Sequence, residues 1–195
     1  MKDIIKLGGI LLLFTVIAAA ALAMVDSITK PKIEEQKQLI IENALTIALP
    51  TAHKDAIVKI DSSEFVYYQG YKTPEKTELV GYAIVAKGQG YSSQIETMVG
   101  IDTTGVIIGL TVMQQQETPG LGTKIAEVRY GEEKPWFQIQ FLGKTMENLA
   151  VQQDGGELKA VTGATISSRA VTNSIRDALK MLNEKIQFTP GAIHE

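Results

Sequence analysis

Apolar and polar positions change their period twice along this chain. From Leu7 to Val25, 19 consecutive residues are apolar or small, Thr15 is the one polar side chain, and no charge interrupts the run. As a helix it would span about 28 Å at roughly 1.5 Å per residue, close to the ~30 Å hydrocarbon core of a bilayer. Pro31 then predicts the start of a second helix. Over 32–49, Ile33 is followed by a gap at Gln36 and Lys37, and Ile40, Ile41, Ala44, Leu45 and Ala48 form a helical stripe that Pro50 ends. This reads as a stalk joining an anchor to a domain.

From Glu64 the period becomes that of strands. Glu64–Gly70, Leu79–Ala86, Ile95–Asp102 and Val106–Met113 are rich in Val, Ile and Tyr, with glycine or polar breaks between them. Asp102-Thr103-Thr104-Gly105, between two apolar runs, is a hairpin signal. Trp136–Phe141 sets Phe137, Ile139 and Phe141 against Gln138 and Gln140, which predicts a half-buried strand. Over Ser167–Lys185 the period returns to helical, with Val171, Ile175, Ala178, Leu179 and Leu182 on one face. The fold class is therefore α+β: an N-terminal membrane helix, then one domain with an antiparallel sheet and a C-terminal helix. The expected division is 1–25 as cytoplasmic tip and anchor, 26–51 as stalk, 52–188 as the domain and 189–195 as a tail.

A cleaved signal peptide is the competing reading of the N-terminus. Lys2 and Lys6 would form its basic region and Ala21-Leu22-Ala23 its small-x-small cleavage site. Both readings export the rest of the chain. Orientation cannot rest on charge, because Lys2 and Lys6 precede the run while Lys30, Lys32 and Lys37 follow it. Composition narrows the chemistry. A net charge of -3 predicts no basic face for nucleic acid. With no cysteine and only His53 and His194 as histidines, disulfides, thiolate metal sites and iron–sulfur clusters are excluded and a histidine metal site is not expected. Redox chemistry here requires an organic cofactor.

The chemical signal lies at the start of the last helix, in Thr162-Gly163-Ala164-Thr165-Ile166-Ser167-Ser168. A helix N-terminus offers unpaired N–H groups and partial positive charge, both suited to phosphate. Gly163 permits close backbone approach. The four hydroxyls can donate to phosphate oxygens, or one can be esterified. Ordinary N-capping is the bland alternative, although a cap needs one hydroxyl. The segment lacks the Gly-Lys-Ser/Thr ending of a P-loop.

This segment resembles the flavinylation motif, Ser/Thr-Gly-Ala-Thr followed by small hydroxyl residues, of the G subunit of Rnf-type ferredoxin:NAD oxidoreductases and the C subunit of sodium-pumping NADH:quinone oxidoreductases. Glu117-Thr118-Pro119-Gly120-Leu121-Gly122-Thr123-Lys124 resembles the same family's Glu-Thr-Pro-Gly-Leu-Gly loop, and Trp136-Phe137 through Phe141-Gly143-Lys144 also fits. The family's motif has an acidic residue six positions before the modified threonine, where this chain has Lys159, with Asp154 and Glu157 nearby. The resemblance implies FMN joined through its phosphate to Thr165 by a dedicated flavin transferase. It also implies an extracytoplasmic domain, a bilayer around Leu7–Val25 and neighbouring membrane subunits between which single electrons pass. Thr162, Gly163, Ala164, Ser167 and Ser168 would hold the phosphate end. Glu117, Thr118, Leu121, Gly122 and Lys124 would line the ring, Glu117 bonding its edge and Lys124 adding positive charge. Tyr91, after Gly88-Gln89-Gly90, reads as a core or rim residue, with lining of the flavin as the alternative. A stand-alone exported flavoprotein and an anchored module binding a phosphate-bearing ligand reversibly remain open.

Overall fold

The computed structural model describes residues 2–62, 64–129 and 131–188, so the expected tail at 189–195 lies outside the described residues. Helix α1 runs unbroken over Lys2–Ala48. Pro31 sits inside it and does not open a second helix. Proline imposes a helical φ, so its cost falls on one missing N–H bond and a local clash, and 32–48 continue the same helix. Two compact units divide at Ile41 and Glu42. In the first, all of Leu7–Val25 is exposed, and α1 is the one described helix long and apolar enough to cross a membrane. Thr15 donates its hydroxyl to the Leu12 carbonyl at 2.9 Å, which satisfies the single polar group of the run without water.

The second unit is built on a five-stranded antiparallel meander in the order β1-β2-β3-β4-β5. The strands are β1 (Ile57–Asp61), β2 (Val66–Tyr71), β3 (Leu79–Gln89), β4 (Gln94–Asp102) and β5 (Ile107–Gln114). Four of them fall where the strand pattern predicts. The short edge strand β1 was not expected, since its apolar/polar alternation covers only the four residues 58–61. The β4–β5 turn forms as Asp102 Oδ1 accepts from Thr104 N (2.8 Å), Thr104 Oγ1 (2.7 Å) and Val106 N (3.0 Å).

Trp136–Phe141 is not a strand. Helix α2 (Trp136–Ile139) forms there, and Phe137 and Phe141 are wholly buried while Ile139 is 43% exposed. Positions four apart share a helical face, so the helical period buries the two Phe rings, which meet edge-on at 5.4 Å, and leaves Ile139 outside. Gln138 is buried and donates to the Ile125 carbonyl at 3.1 Å.

The last helix, α3 (Thr165–Ile186), lays Val171, Ile175, Leu179 and Leu182 on the sheet. There they join Ile84, Ile95, Val99, Ile101 and the two Phe rings in one core. Contact is close: a Cβ on Gly88 of β3 would stand 2.4 Å from the Ala170 carbonyl oxygen of α3. The end of α1 packs on the sheet as well, its Ala48 carbonyl lying where a Cβ on Gly100 of β4 would be. The sheet is thus covered by α3 and by the end of α1.

Candidate functional site

Helix α3 starts at Thr165 because Gly163, at φ +78°, turns the chain through a conformation that side chains disfavour. Gln140 steadies the segment entering this turn, with its amide oxygen accepting from Lys159 N (2.8 Å) and its amide nitrogen donating to the Lys159 carbonyl (3.1 Å). The N-cap is Ala164, and no side chain caps the helix. Capping therefore does not account for the hydroxyls, and no side chain among the described residues takes the first-turn N–H groups.

The four hydroxyls divide into two pairs. Ser168 is buried, donates to the Ala164 carbonyl (2.9 Å) and accepts from Val161 N (3.0 Å). Ser167 is buried and donates to Glu117 Oε2 at 2.6 Å. Neither has a hydroxyl left for phosphate, which corrects the expectation that they bind it. They shape the turn from inside instead. Thr162 is exposed and Thr165 half-buried, and the Thr165 hydroxyl makes no hydrogen bond among the described residues.

Glu117 also differs from its expected role. It follows β5, is 4% exposed, and accepts five hydrogen bonds. Oε1 takes Ser92 N (3.0 Å), Ser93 N (2.9 Å) and Ser93 Oγ (3.2 Å). Oε2 takes Tyr91 N (3.1 Å) and Ser167 Oγ. A carboxylate has about four lone-pair sites, so it has none left for a flavin edge. Burial pushes this carboxyl up, and the Ser167 hydroxyl with the N–H groups of Ser93, Ser92 and Tyr91 pulls it down further, leaving it below the ordinary value and ionised at neutral pH. Gly122 is buried against it. Thr118 shapes the loop: its carbonyl accepts from Leu121 N (3.1 Å) and its hydroxyl lies 3.3 Å from Ser92 Oγ.

Three apolar side chains are left outside. Tyr91 (71% exposed) is on the turn that Glu117 holds, Leu121 (44%) on the loop after it, and Ile166 (51%) next to Thr165. A Cβ on Gly163 would touch Leu121 Cδ2 at 3.1 Å, so the loop and the start of α3 adjoin. Tyr91 is thus a rim residue and not core. Lys124 and Thr162 border a cavity of about 360 Å³ with Glu127, Arg129, Trp136 and Val161. In it the Arg129 guanidinium lies 4.0 Å over the Trp136 ring. Arg129 escaped the sequence reading, since nothing in its neighbourhood marks it.

Residues 90–180 match the FMN-binding domain family, and residues 1–49 match the RnfG N-terminal region. A curated relative, the G subunit of the Na(+)-translocating ferredoxin:NAD(+) oxidoreductase complex of Acetobacterium woodii, is 31% identical over 92% of each chain. The chain belongs to this family of Rnf-type G subunits. A second member, the G subunit of the ion-translocating oxidoreductase complex of Aliivibrio fischeri strain ES114, is 33% identical over 95% of this chain and 94% of its own. The fold is shared with the C subunit of the Na(+)-translocating NADH-quinone reductase from Parabacteroides distasonis, at a TM-score of 0.54 and 15% identity over 81% of this chain and 98% of that one. The family's two matched segments meet the geometry above: one holds the apolar helix, the other begins at Gly90 and contains Glu117, Thr165 and most of α3.

Proposed function

We propose that this chain is the membrane-anchored flavoprotein subunit of an ion-translocating electron-transport complex of the ferredoxin:NAD oxidoreductase type, with FMN carried as a phosphoester on Thr165. The observation that carries the reading is the sorting of hydroxyls at an uncapped helix N-terminus. Ser167 and Ser168 are buried and committed, while Thr165, the first helical residue, keeps a free hydroxyl beside open N–H groups. A helix start of this kind suits a phosphate anion, including the singly charged phosphodiester that esterification leaves. The names of the relatives and the matched FMN-binding domain support the same assignment.

FMN bound there supplies reversible one-electron and two-electron chemistry that no side chain of this cysteine-free chain provides. The protein's part is to hold and tune. Thr165 carries the attachment, and the α3 N–H groups offset the phosphate charge. Tyr91, Leu121 and Ile166 would present apolar surface to the ring, and Lys124 would add positive charge at the adjoining cavity. Covalent attachment suits an extracytoplasmic domain, where a dissociated cofactor would be lost. We place this domain on that side of the membrane, with a flavin transferase as its maturation partner, the bilayer around Leu7–Val25, and other membrane subunits as its electron donor and acceptor. The chain is a non-autonomous part of the oxidoreductase.

Thr165→Ala tests the assignment. The Thr165 hydroxyl caps nothing, so the substitution should cost less than the ~1 kcal/mol typical of a lost cap. After co-expression with the flavin transferase, intact-mass measurement should find the FMN increment on the unaltered chain and none on the variant. A denaturing gel under ultraviolet light separates a covalent flavin from a phosphate ligand held reversibly by the same N–H groups. A variant that still carries the FMN mass moves the attachment to Thr162.

A further inference from the structure

Glu117 does not fit the role of a ligand to the flavin, yet it is the most heavily bonded side chain at the site. Its five donors come from two places distant in sequence: the turn between β3 and β4, at Tyr91, Ser92 and Ser93, and the first turn of α3, at Ser167. Its own backbone begins the 118–122 loop, and Gly122 closes back on it, where a Cβ would stand 2.6 Å from Glu117 Cβ. One buried carboxylate therefore joins three chain segments. Each bears one exposed or half-exposed residue of the candidate site: Tyr91 on the turn, Leu121 on the loop, Thr165 on the helix. Ser93 extends the tie, because its hydroxyl also accepts from Gln116 N at 2.8 Å.

We propose that Glu117 is a positioning residue of the flavin site: its carboxylate fixes the walls at Tyr91 and Leu121 relative to the attachment point at Thr165, and holds the Ser167 hydroxyl inward. This rests on the reading of Thr165 as the attachment point. Charge and shape both matter. Backbone N–H groups cannot reverse their polarity, so a carboxamide in place of the carboxylate turns an NH2 group toward at least one of them and breaks that tie. A buried donor left unpaired in this way is costly, and the turn carrying Tyr91 relaxes. Loss of the negative charge also favours electron uptake by a nearby flavin.

The test uses the full chain in detergent after co-expression with the flavin transferase, comparing unaltered protein, Glu117→Gln and Ser167→Ala. Intact mass reports attachment, redox titration the flavin potential, the absorption spectrum the ring's surroundings, and thermal melting the fold. The expected result is full FMN loading in all three. The potential should rise and the spectrum shift in Glu117→Gln. Ser167→Ala keeps the charge and four of the five donors, and should give a smaller spectral shift. Should Glu117→Gln fail to fold, Ser167→Ala decides. Loaded variants that melt earlier but keep the unaltered potential and spectrum would overturn the proposal, leaving Glu117 a stabilising residue only. Folded Glu117→Gln without the FMN mass would overturn it too, since the effect would then fall on attachment and not on the walls. Absence of FMN from the unaltered chain is a separate outcome, and it defeats the Thr165 reading itself.

Discussion

Replacing Gly122 with alanine tests the packing around Glu117 without removing any hydrogen-bonding group. A Cβ there would stand 2.6 Å from Glu117 Cβ and 2.8 Å from both Glu117 Oε2 and Ser167 Oγ. These two oxygens are themselves bonded at 2.6 Å, so the methyl wedges into the pair. Neither neighbour yields easily: Cβ follows the backbone, and the carboxylate is held by five donors. Relief comes by local shift, typically about 1–3 kcal/mol for overpacking, or by losing the charged hydrogen bond, about 1.5–3 kcal/mol. As alternatives these do not add, and the expected cost is about 1–3 kcal/mol. For a domain of roughly 150 residues each kcal/mol lowers Tm by about 2–4 °C, which gives a drop of roughly 2–12 °C. Thermal unfolding in detergent followed by Trp136 fluorescence measures it. Because Glu117 is held below its ordinary value of 4.5, its contribution is complete above that value and is lost as pH falls through the lower folded one. Where relief comes by losing the charged bond, the deficit of Gly122→Ala is largest near pH 7 and shrinks as pH falls below 4.5. Gly120→Ala is the control. At φ +75° with no atom within 4 Å, it costs about 1–2 kcal/mol through backbone strain alone, with no pH dependence. Equal melting of Gly122→Ala and unaltered protein would refute the reasoning, and a deficit that does not change with pH assigns the whole cost to local shift.

Two further outcomes follow from the site and the anchor. Leu121→Asp places a charge on an exposed side chain beside Gly163; at ~4 Å in a near-aqueous dielectric this amounts to about 1 kcal/mol, or ~40 mV for one electron. The loaded variant should titrate lower by tens of millivolts, and an unchanged potential would remove this loop from the flavin site. A reporter fused after Phe188 should be active only outside the cytoplasm, and cytoplasmic activity would reverse the orientation.

Local physics reaches a sequence reader directly where one segment contains both cause and effect. An uncharged run of 19 residues with one polar side chain must leave water wherever the rest of the chain goes. The stripe from Val171 to Leu182 must cover something apolar, and Gly163 before a hydroxyl-rich helix start marks a turn. The apolar helix, four strands and the last helix were legible for this reason. Only the tertiary structure decided matters that depend on distant partners. Three apolar positions in Trp136–Phe141 satisfy either period, and burial of Phe137 and Phe141 selected the helical one. Ser167 and Thr165 look alike as hydroxyls in sequence. What separates them is a carboxylate 50 residues away that engages the first and leaves the second free. Glu117 looked like a ligand because its loop does, but its orientation depends on three N–H groups in a turn 24 to 26 residues earlier. No local pattern encodes that contact. A buried charge must find its hydrogen bonds wherever folding brings donors together, and here they converge behind the site and not in it.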